Sequence, residues 1–102
     1  MTAGFDPVIH PEHRLRICAM LDAGTTLEQS VVKQHLDLSP SALSKQVAAL
    51  ADAGYVKQER LGGDSRRVWL SLTAQGRKAY RGHIAALQEI VAASTPPVDA
   101  SS

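Results

Sequence analysis

Hydrophobic residues recur at intervals of three and four in two stretches near the N-terminus, which predicts two amphipathic helices. The first is expected to begin at Pro11, a residue that fits the first helical position, and to end before Gly24. The second is expected over residues 27–36. Its start is predicted at Thr26, because Thr26 and Gln29 match the spacing of a capping box, in which each side chain binds the other residue's backbone amide.

Two further helices are predicted from similar start signals. Ser39 followed by Pro40 is typical of an N-cap and a first helical position, and this third helix is expected to close at Gly54. Its apolar stripe consists of Leu43, Val47 and Leu50. Thr73 is expected to cap a fourth helix over residues 74–93, although Gly76 occupies the position where a capping box requires Glu or Gln.

Between the third and fourth helices the helical period disappears. Residues 55–61 read as a strand, residues 62–65 are a Gly-Gly-Asp-Ser turn signal, and apolar side chains alternate in residues 66–72. This pattern predicts a β-hairpin with a glycine-rich tip. Because a hairpin that follows a helix-turn-helix is a wing, the predicted fold is mainly α with a small β-hairpin, a winged helix-turn-helix with a C-terminal helix.

Length and composition fit one domain and exclude several classes of protein. Residues 1–93 of the 102 are expected to form the domain, and residues 94–102, with Pro96 and Pro97, a disordered tail. No apolar run reaches the roughly 18 residues that span a bilayer, and the N-terminus lacks the features of a secretory signal. We therefore expect a cytoplasmic protein without a membrane partner. A lone Cys18 supplies neither an intrachain disulfide nor a cysteine-based zinc site, so no metal and no cofactor are expected.

Positive charge is concentrated in one part of the chain. The formal net charge is only +1, but residues 57–81 contain seven Lys or Arg residues against Glu59 and Asp64, a local net charge of +5. Such asymmetry favours a polyanionic partner, because a basic face releases counterions from a phosphate backbone. The alternative is a solvated basic face without a partner.

Three stretches resemble winged-helix regulators of the MarR and ArsR type. HPEHRLRICAML is similar to their opening helix, LSPSALSKQVAALADAGYV to their turn, recognition helix and following strand, and GGDSRRVWLSLTAQGRKA to their wing and the start of a dimerisation helix. The resemblance covers about residues 8–93 and is nearest to a short MarR-like subfamily of roughly 100-residue winged-helix DNA-binding domains. ArsR-type metal sensing is less well supported, because Cys18 is alone and His83 with Glu89 lacks the spacing of metal ligands.

The third helix is the predicted recognition helix. Residues on its first two turns can reach base edges in the major groove, and its N-terminus favours phosphate. The candidate DNA-binding residues there are Ser39, Ser41, Ala42, Ser44 and Lys45. The alternative is an ordinary solvent-exposed helix face.

The hairpin tip is the second predicted DNA contact. Its candidates are Gly63, Ser65, Arg66 and Arg67, because arginine suits the strongly negative minor groove. In the wings of the MarR-type regulators that this chain resembles, an acid–arginine pair occupies the tip. Here Ser65 separates Asp64 from the arginines, so the sequence leaves open which arginine enters the groove. Arg60, Arg77 and Lys78 are weaker candidates, for backbone phosphates only. The alternative is a solvated turn.

The apolar stripe of the last helix is too long for one small core to cover. Pairing with the first helix of a second copy would bury it, which predicts a two-fold dimer and a pseudo-palindromic operator. The candidate dimerisation residues are Leu15, Tyr80, Ile84, Leu87 and Val91. The four histidines form no recognisable catalytic or metal-binding set, and we expect them to be capping or surface residues.

The sequence therefore predicts a homodimeric, sequence-specific DNA-binding regulator, with double-stranded DNA as partner and any small-molecule effector unidentified. Repression by promoter occlusion is what the resemblance implies. The alternative is a winged-helix protein-interaction module that does not bind DNA, but the polar and basic outer face of the third helix argues against it. An enzyme is not expected, because no paired carboxylates, phosphate-binding glycine loop or nucleophile–histidine set is recognisable.

Overall fold

A computed structural model describes residues 3–24, 26–60, 66–94 and 96. In chain order the elements are α1 (Glu12–Asp22), β1 (Leu27–Glu28), α2 (Gln29–Leu36), α3 (Pro40–Asp52), β2 (Val56–Glu59), β3 (Trp69–Leu72) and α4 (Ala74–Ser94). The predicted winged helix-turn-helix architecture is confirmed. No helix within the described ranges is both long and apolar enough to cross a membrane.

The predicted start of α2 is wrong by two residues, and the capping box at Thr26 does not form. Leu27 and Glu28 instead make the short strand β1, which pairs with Leu70 and Trp69 of β3. The backbone N–H of Gln29 donates to the carbonyl of Val68 at 2.8 Å, so the sheet satisfies a donor at the helix N-terminus that the Thr26 side chain was expected to help satisfy. Glu28 is the N-cap residue, and its side chain makes no capping hydrogen bond.

The hairpin prediction is confirmed, although the sheet contains a third strand that the sequence did not reveal. The strand order is β1-β3-β2, with both pairs antiparallel, so β3 is the central strand. In the β2–β3 pair, Val56 lies opposite Leu72 and Glu59 opposite Trp69. Leu70 is completely buried in the centre of this sheet.

The core lies where α1, α3 and the inner face of the sheet meet. The expected stripe of α3 is almost fully buried, and α1 contributes Ile17, Cys18 and Leu21. The remaining buried hydrophobic side chains of the core cluster are Ile9, Val32, Val56 and Leu70. Aliphatic side chains thus supply the core and fix α3 with its polar side outward.

The junction between α3 and α4 is held by short backbone and side-chain contacts. The Thr73 hydroxyl donates to the carbonyl of Gly54 at 2.7 Å and accepts from the N–H of Gly76 at 2.9 Å, so Thr73 caps α4 as predicted. A Cβ atom on Gly76 would lie 2.0 Å from the carbonyl oxygen of Tyr55. This close approach explains why glycine occupies the position that would otherwise complete a capping box.

The prediction that all four histidines are capping or surface residues is wrong for His83. Its side chain is completely buried under the segment that precedes α1. The N–H of Asp6 donates to His83 Nδ1 at 2.9 Å, and Ile9 from the same segment enters the core. The local sequence of α4 could not reveal this, because the covering residues lie more than 70 positions away.

Candidate nucleic-acid interface

The N-terminus of α3 is built by its local sequence. The Ser39 hydroxyl accepts a hydrogen bond from the N–H of Ala42 at 3.1 Å, and Pro40 occupies the first helical position, where its missing N–H costs nothing. With the apolar stripe facing the core, Ser41, Ser44 and Lys45 are exposed and Ala42 is half-buried. The expected recognition face therefore points away from the core.

A groove separates this face from α2 and from the base of the hairpin. It encloses about 220 Å³ and is lined by residues of four segments, with Leu43 and Val68 among its apolar walls. Lys33 of α2, Ser44 of α3 and Arg66 before β3 all border it. The fold thus brings two cationic side chains to the edge of α3, and the position of Lys33 there was not predicted from the sequence.

The base of the hairpin carries the two candidate arginines. Arg66 and Arg67 are exposed, and only Val68 separates them from β3. Gly63 and Ser65, the other candidates of the wing, lie outside the described residues. Arg66 is the arginine that borders the groove.

Part of the basic charge in residues 57–81 is engaged elsewhere. Arg77 donates to the carboxylate of Asp22 at 2.9 Å and to its backbone carbonyl at 3.0 Å, and Arg81 reaches the same carboxylate at 3.2 Å. Lys57 pairs with Glu59 at 3.2 Å. Arg77 therefore ties α4 to α1, and the suggestion that it contacts phosphate loses its support.

The five candidate dimerisation residues separate into two groups. Leu15 and Tyr80 are half-buried and pack against the core of their own chain. Ile84, Leu87 and Val91 instead border a shallow, almost wholly apolar depression of about 350 Å³ on the outer side of α4. Val91 is 64% exposed, so most of its side chain is accessible to water.

The environment of Cys18 supports a structural role. The side chain is buried in the core, and burial, reinforced by the nearby Asp6 and Asp22 carboxylates, raises the pKa of its thiol to about 12. A thiol with such a pKa is poorly reactive, because the thiolate is the nucleophile. Within the described parts of the chain, no group of three His, Cys, Asp or Glu side chains is arranged to hold a metal ion.

Comparison with protein families gives one match, to the model described as a winged helix DNA-binding domain, over residues 13–91. No curated protein sequence matches the chain significantly. Solved structures, in contrast, include many with the same fold.

Three of these structures illustrate the similarity. A transcriptional regulator homologue from Pyrococcus horikoshii OT3 is 22% identical, with a TM-score of 0.79 over 84% of this chain and 86% of its own. NadR in complex with 4-hydroxyphenylacetate is 26% identical, with a TM-score of 0.70 over 85% of this chain and 64% of its own. Overoxidized AbfR bound to DNA is 24% identical, with a TM-score of 0.71 over 78% of this chain and 58% of its own. The chain therefore spans less than two thirds of NadR and AbfR.

Proposed function

Because this chain belongs to the winged helix DNA-binding domain family, we propose that it is a transcriptional regulator that binds a specific DNA operator as a homodimer. The observation that carries the proposal is the groove between the polar face of α3 and the base of the hairpin, which is bordered by Lys33, Ser44 and Arg66. One duplex lying across this groove would meet base-reading side chains and phosphate-binding cations together.

In this proposal α3 lies in the major groove, which is wide enough to admit a helix. Ser41, Ser44 and Lys45 offer donors to phosphates and to the acceptor atoms of guanine, and the Ala42 methyl group can meet the methyl group of thymine. The N-terminus of α3 carries partial positive charge, so a phosphate near Ser39 is favoured electrostatically. Lys33 adds a phosphate contact from the neighbouring helix.

The hairpin supplies the second contact of the proposal. Arg66 and Arg67 lie at its base, and an arginine that reaches the minor groove is favoured where that groove is narrow and its potential most negative. The structure of overoxidized AbfR bound to DNA gives a precedent for DNA binding by a protein of this fold. Contacts of this kind depend strongly on salt, because they release counterions from the phosphates.

The homodimer is proposed from the outer side of α4. Ile84, Leu87 and Val91 form an apolar strip that a second copy would remove from water, which is the main favourable term in such associations. A two-fold dimer would read two half-sites about one helical turn apart, hence a pseudo-palindromic operator. In this proposal the protein acts in the cytoplasm and represses transcription by occluding a promoter. The complex of NadR with 4-hydroxyphenylacetate supports a small-molecule effector as part of the same proposal.

Sedimentation tests the dimer with a matched pair of variants. Val91→Glu places a charge in the apolar strip, whereas Val31→Glu places one on α2, where the valine is 47% exposed and lies outside the strip. We expect the wild type and Val31→Glu to be dimers at micromolar concentration and Val91→Glu to be a monomer. A wild type that is monomeric at these concentrations would rule out the dimer.

Titration of wild-type and variant proteins with DNA tests the recognition face. Lys45→Ala should weaken binding to the selected operator more than binding to random DNA, because it removes a base contact. Replacing Arg66 and Arg67 by alanine should weaken binding to both DNAs and reduce the salt dependence. Equal losses on both DNAs for Lys45→Ala would remove α3 from the role of recognition helix.

A further inference from the structure

The segment before α1, residues 4–10, is held against the rest of the molecule by contacts that converge on His83. The N–H of Asp6 donates to His83 Nδ1 at 2.9 Å, and the hydroxyl of Tyr55 donates to the carboxylate of Asp6 at 2.5 Å. This N-terminal segment therefore contacts both α4, through His83, and the link between α3 and β2, through Tyr55. Ile9 anchors the segment in the core, with no exposed surface.

These contacts fix where the proton of neutral His83 lies. Because Nδ1 accepts from the N–H of Asp6, the single ring proton of a neutral imidazole must be on Nε2. Nε2 is 3.3 Å from Nδ1 of His10, which must then be the acceptor. The Phe5 ring packs against both imidazoles, with centroid distances of 4.9 Å. Both nitrogens of His83 are thus committed to the segment in the neutral state.

We propose that the N-terminal segment is a pH-dependent conformational switch, which is bound to α4 while His83 is neutral and dissociates when His83 is protonated. A second ring proton would lie on Nδ1 and point at the N–H of Asp6, so two donors would face each other at 2.9 Å. The imidazolium would also be a charge without exposure to water, which is unfavourable. Dissociation of residues 4–10 relieves both effects, because it opens the ring to solvent.

The ionisable groups around His83 act in opposite directions. Burial and the neighbouring His10 lower the pKa of His83 below its ordinary 6.5, and these effects outweigh the Asp6 carboxylate, which favours the imidazolium. From the other packed elements, Cys18 of α1 and Tyr55 have pKa values raised to about 12, so both stay neutral at physiological pH. The carboxylate of Asp22 is engaged by the two arginines of α4.

The direction of the pH dependence follows from this lowered pKa. When the segment is bound, His83 takes up a proton less readily than when it is released, so release is linked to proton uptake. The free energy that favours the bound form is therefore greatest above about pH 6.5, and it decreases as the pH falls toward the lowered pKa of His83. Within that window a single linked proton changes the release equilibrium by up to about tenfold per pH unit.

Nuclear magnetic resonance of the ¹⁵N-labelled full chain between pH 8 and pH 5 tests the proposal directly. We expect the His83 ring to carry its proton on Nε2 at pH 8 and to become protonated below pH 6.5. The backbone amide signals of residues 4–6 and 8–10 should change with the same midpoint; residue 7 is a proline and has no amide proton. A proton on Nδ1 at pH 8, or amide signals of the segment that stay constant while His83 is protonated, would overturn the proposal.

Three variants assign the transition to one histidine. His83→Gln offers an acceptor that does not titrate, so the pH-dependent change in residues 4–10 should disappear, while His35→Gln, at an exposed site on α2, should leave it intact. His10→Gln should keep the transition and raise its midpoint, because His10 lowers the pKa of His83. A transition that persists in His83→Gln, or vanishes in His10→Gln, would refute the role of His83. If His83→Gln does not fold, the wild-type titration decides alone.

Discussion

Replacement of Gly76 by alanine should strongly destabilise the protein, even though alanine favours helices. The added Cβ would lie 2.0 Å from the carbonyl oxygen of Tyr55, whereas ordinary contact begins at 3.4 Å, so the two backbones must separate by about 1.4 Å. The obstacle is backbone and cannot rotate away. Separation would weaken the hydrogen bonds that Thr73 makes to Tyr55 at 3.0 Å and to Gly54 at 2.7 Å.

The expected loss follows from these contacts. Overpacking typically costs about 1–3 kcal/mol, and each weakened hydrogen bond adds about 0.5–1.5 kcal/mol. The higher helix propensity of alanine offsets about 1 kcal/mol of this loss of stability. Gly76→Ala should therefore lower the free energy of unfolding by about 1–5 kcal/mol.

Gly82→Ala is the matched control, because the same change in the same helix meets only ordinary contacts. Its Cβ would be 3.9 Å from Gly4 Cα, so the propensity gain should dominate and raise the free energy of unfolding by about 0.5–1 kcal/mol. Urea unfolding followed by the fluorescence of the single tryptophan, Trp69, measures both at one protein concentration, since dimer stability depends on concentration. With an m-value of about 2 kcal/mol/M, the midpoint for Gly76→Ala should fall by about 0.5–2.5 M urea. Equal midpoints for the two variants would refute this account of the α3–α4 junction.

Three further outcomes are expected. Ser39→Ala should lower the free energy of unfolding by about 1 kcal/mol, because it removes the cap of α3, whereas Ser44→Ala in the same helix should change it by less than about 0.5 kcal/mol; equal effects in urea unfolding would argue against the cap. Asp22→Asn removes the partly buried carboxylate charge that pairs with two arginines of α4, and it should lower the free energy of unfolding by about 1–2 kcal/mol. Glu12→Gln removes a largely exposed ion pair and should lower it by less than about 0.5 kcal/mol. Equal losses of stability for the two variants, measured by thermal unfolding in low salt, would contradict this. Cys18 should resist a thiol reagent at pH 8 in the folded protein and react once urea unfolds it, and rapid labelling of the native chain would be inconsistent with a buried thiol whose pKa is about 12.

Local signals made two helix starts predictable. Ser39 and Thr73 each cap the helix that directly follows, and such contacts span only three residues. Thr26 offered a similar signal and failed, because residues 27 and 28 gain backbone hydrogen bonds from β3, more than 40 positions away. A two-residue strand has no periodicity of its own, so only the assembled sheet reveals it.

The long last helix shows a second limit of the sequence pattern. Its aliphatic stripe was predicted to be covered by a second copy, but the pattern did not reveal which residues face the protein's own core, and these are Gly76, His83 and Ala86. Small residues allow α4 to approach the rest of the fold closely, and the aliphatic strip is left on the outside. The outward face of α3 was predictable, since its stripe has helical spacing, whereas the position of Lys33 beside Arg66 depends on how α2 meets the hairpin.

Binding of the wild-type protein to DNA tests the central claim most directly. The affinity for a duplex from the region upstream of its own gene should be measured across a range of salt concentrations, beside a scrambled duplex of equal length. The proposal predicts tighter binding to the native duplex, with an affinity that falls steeply as salt increases. No binding to either duplex, even at low salt, would contradict a DNA-binding function and favour a winged helix that binds another protein.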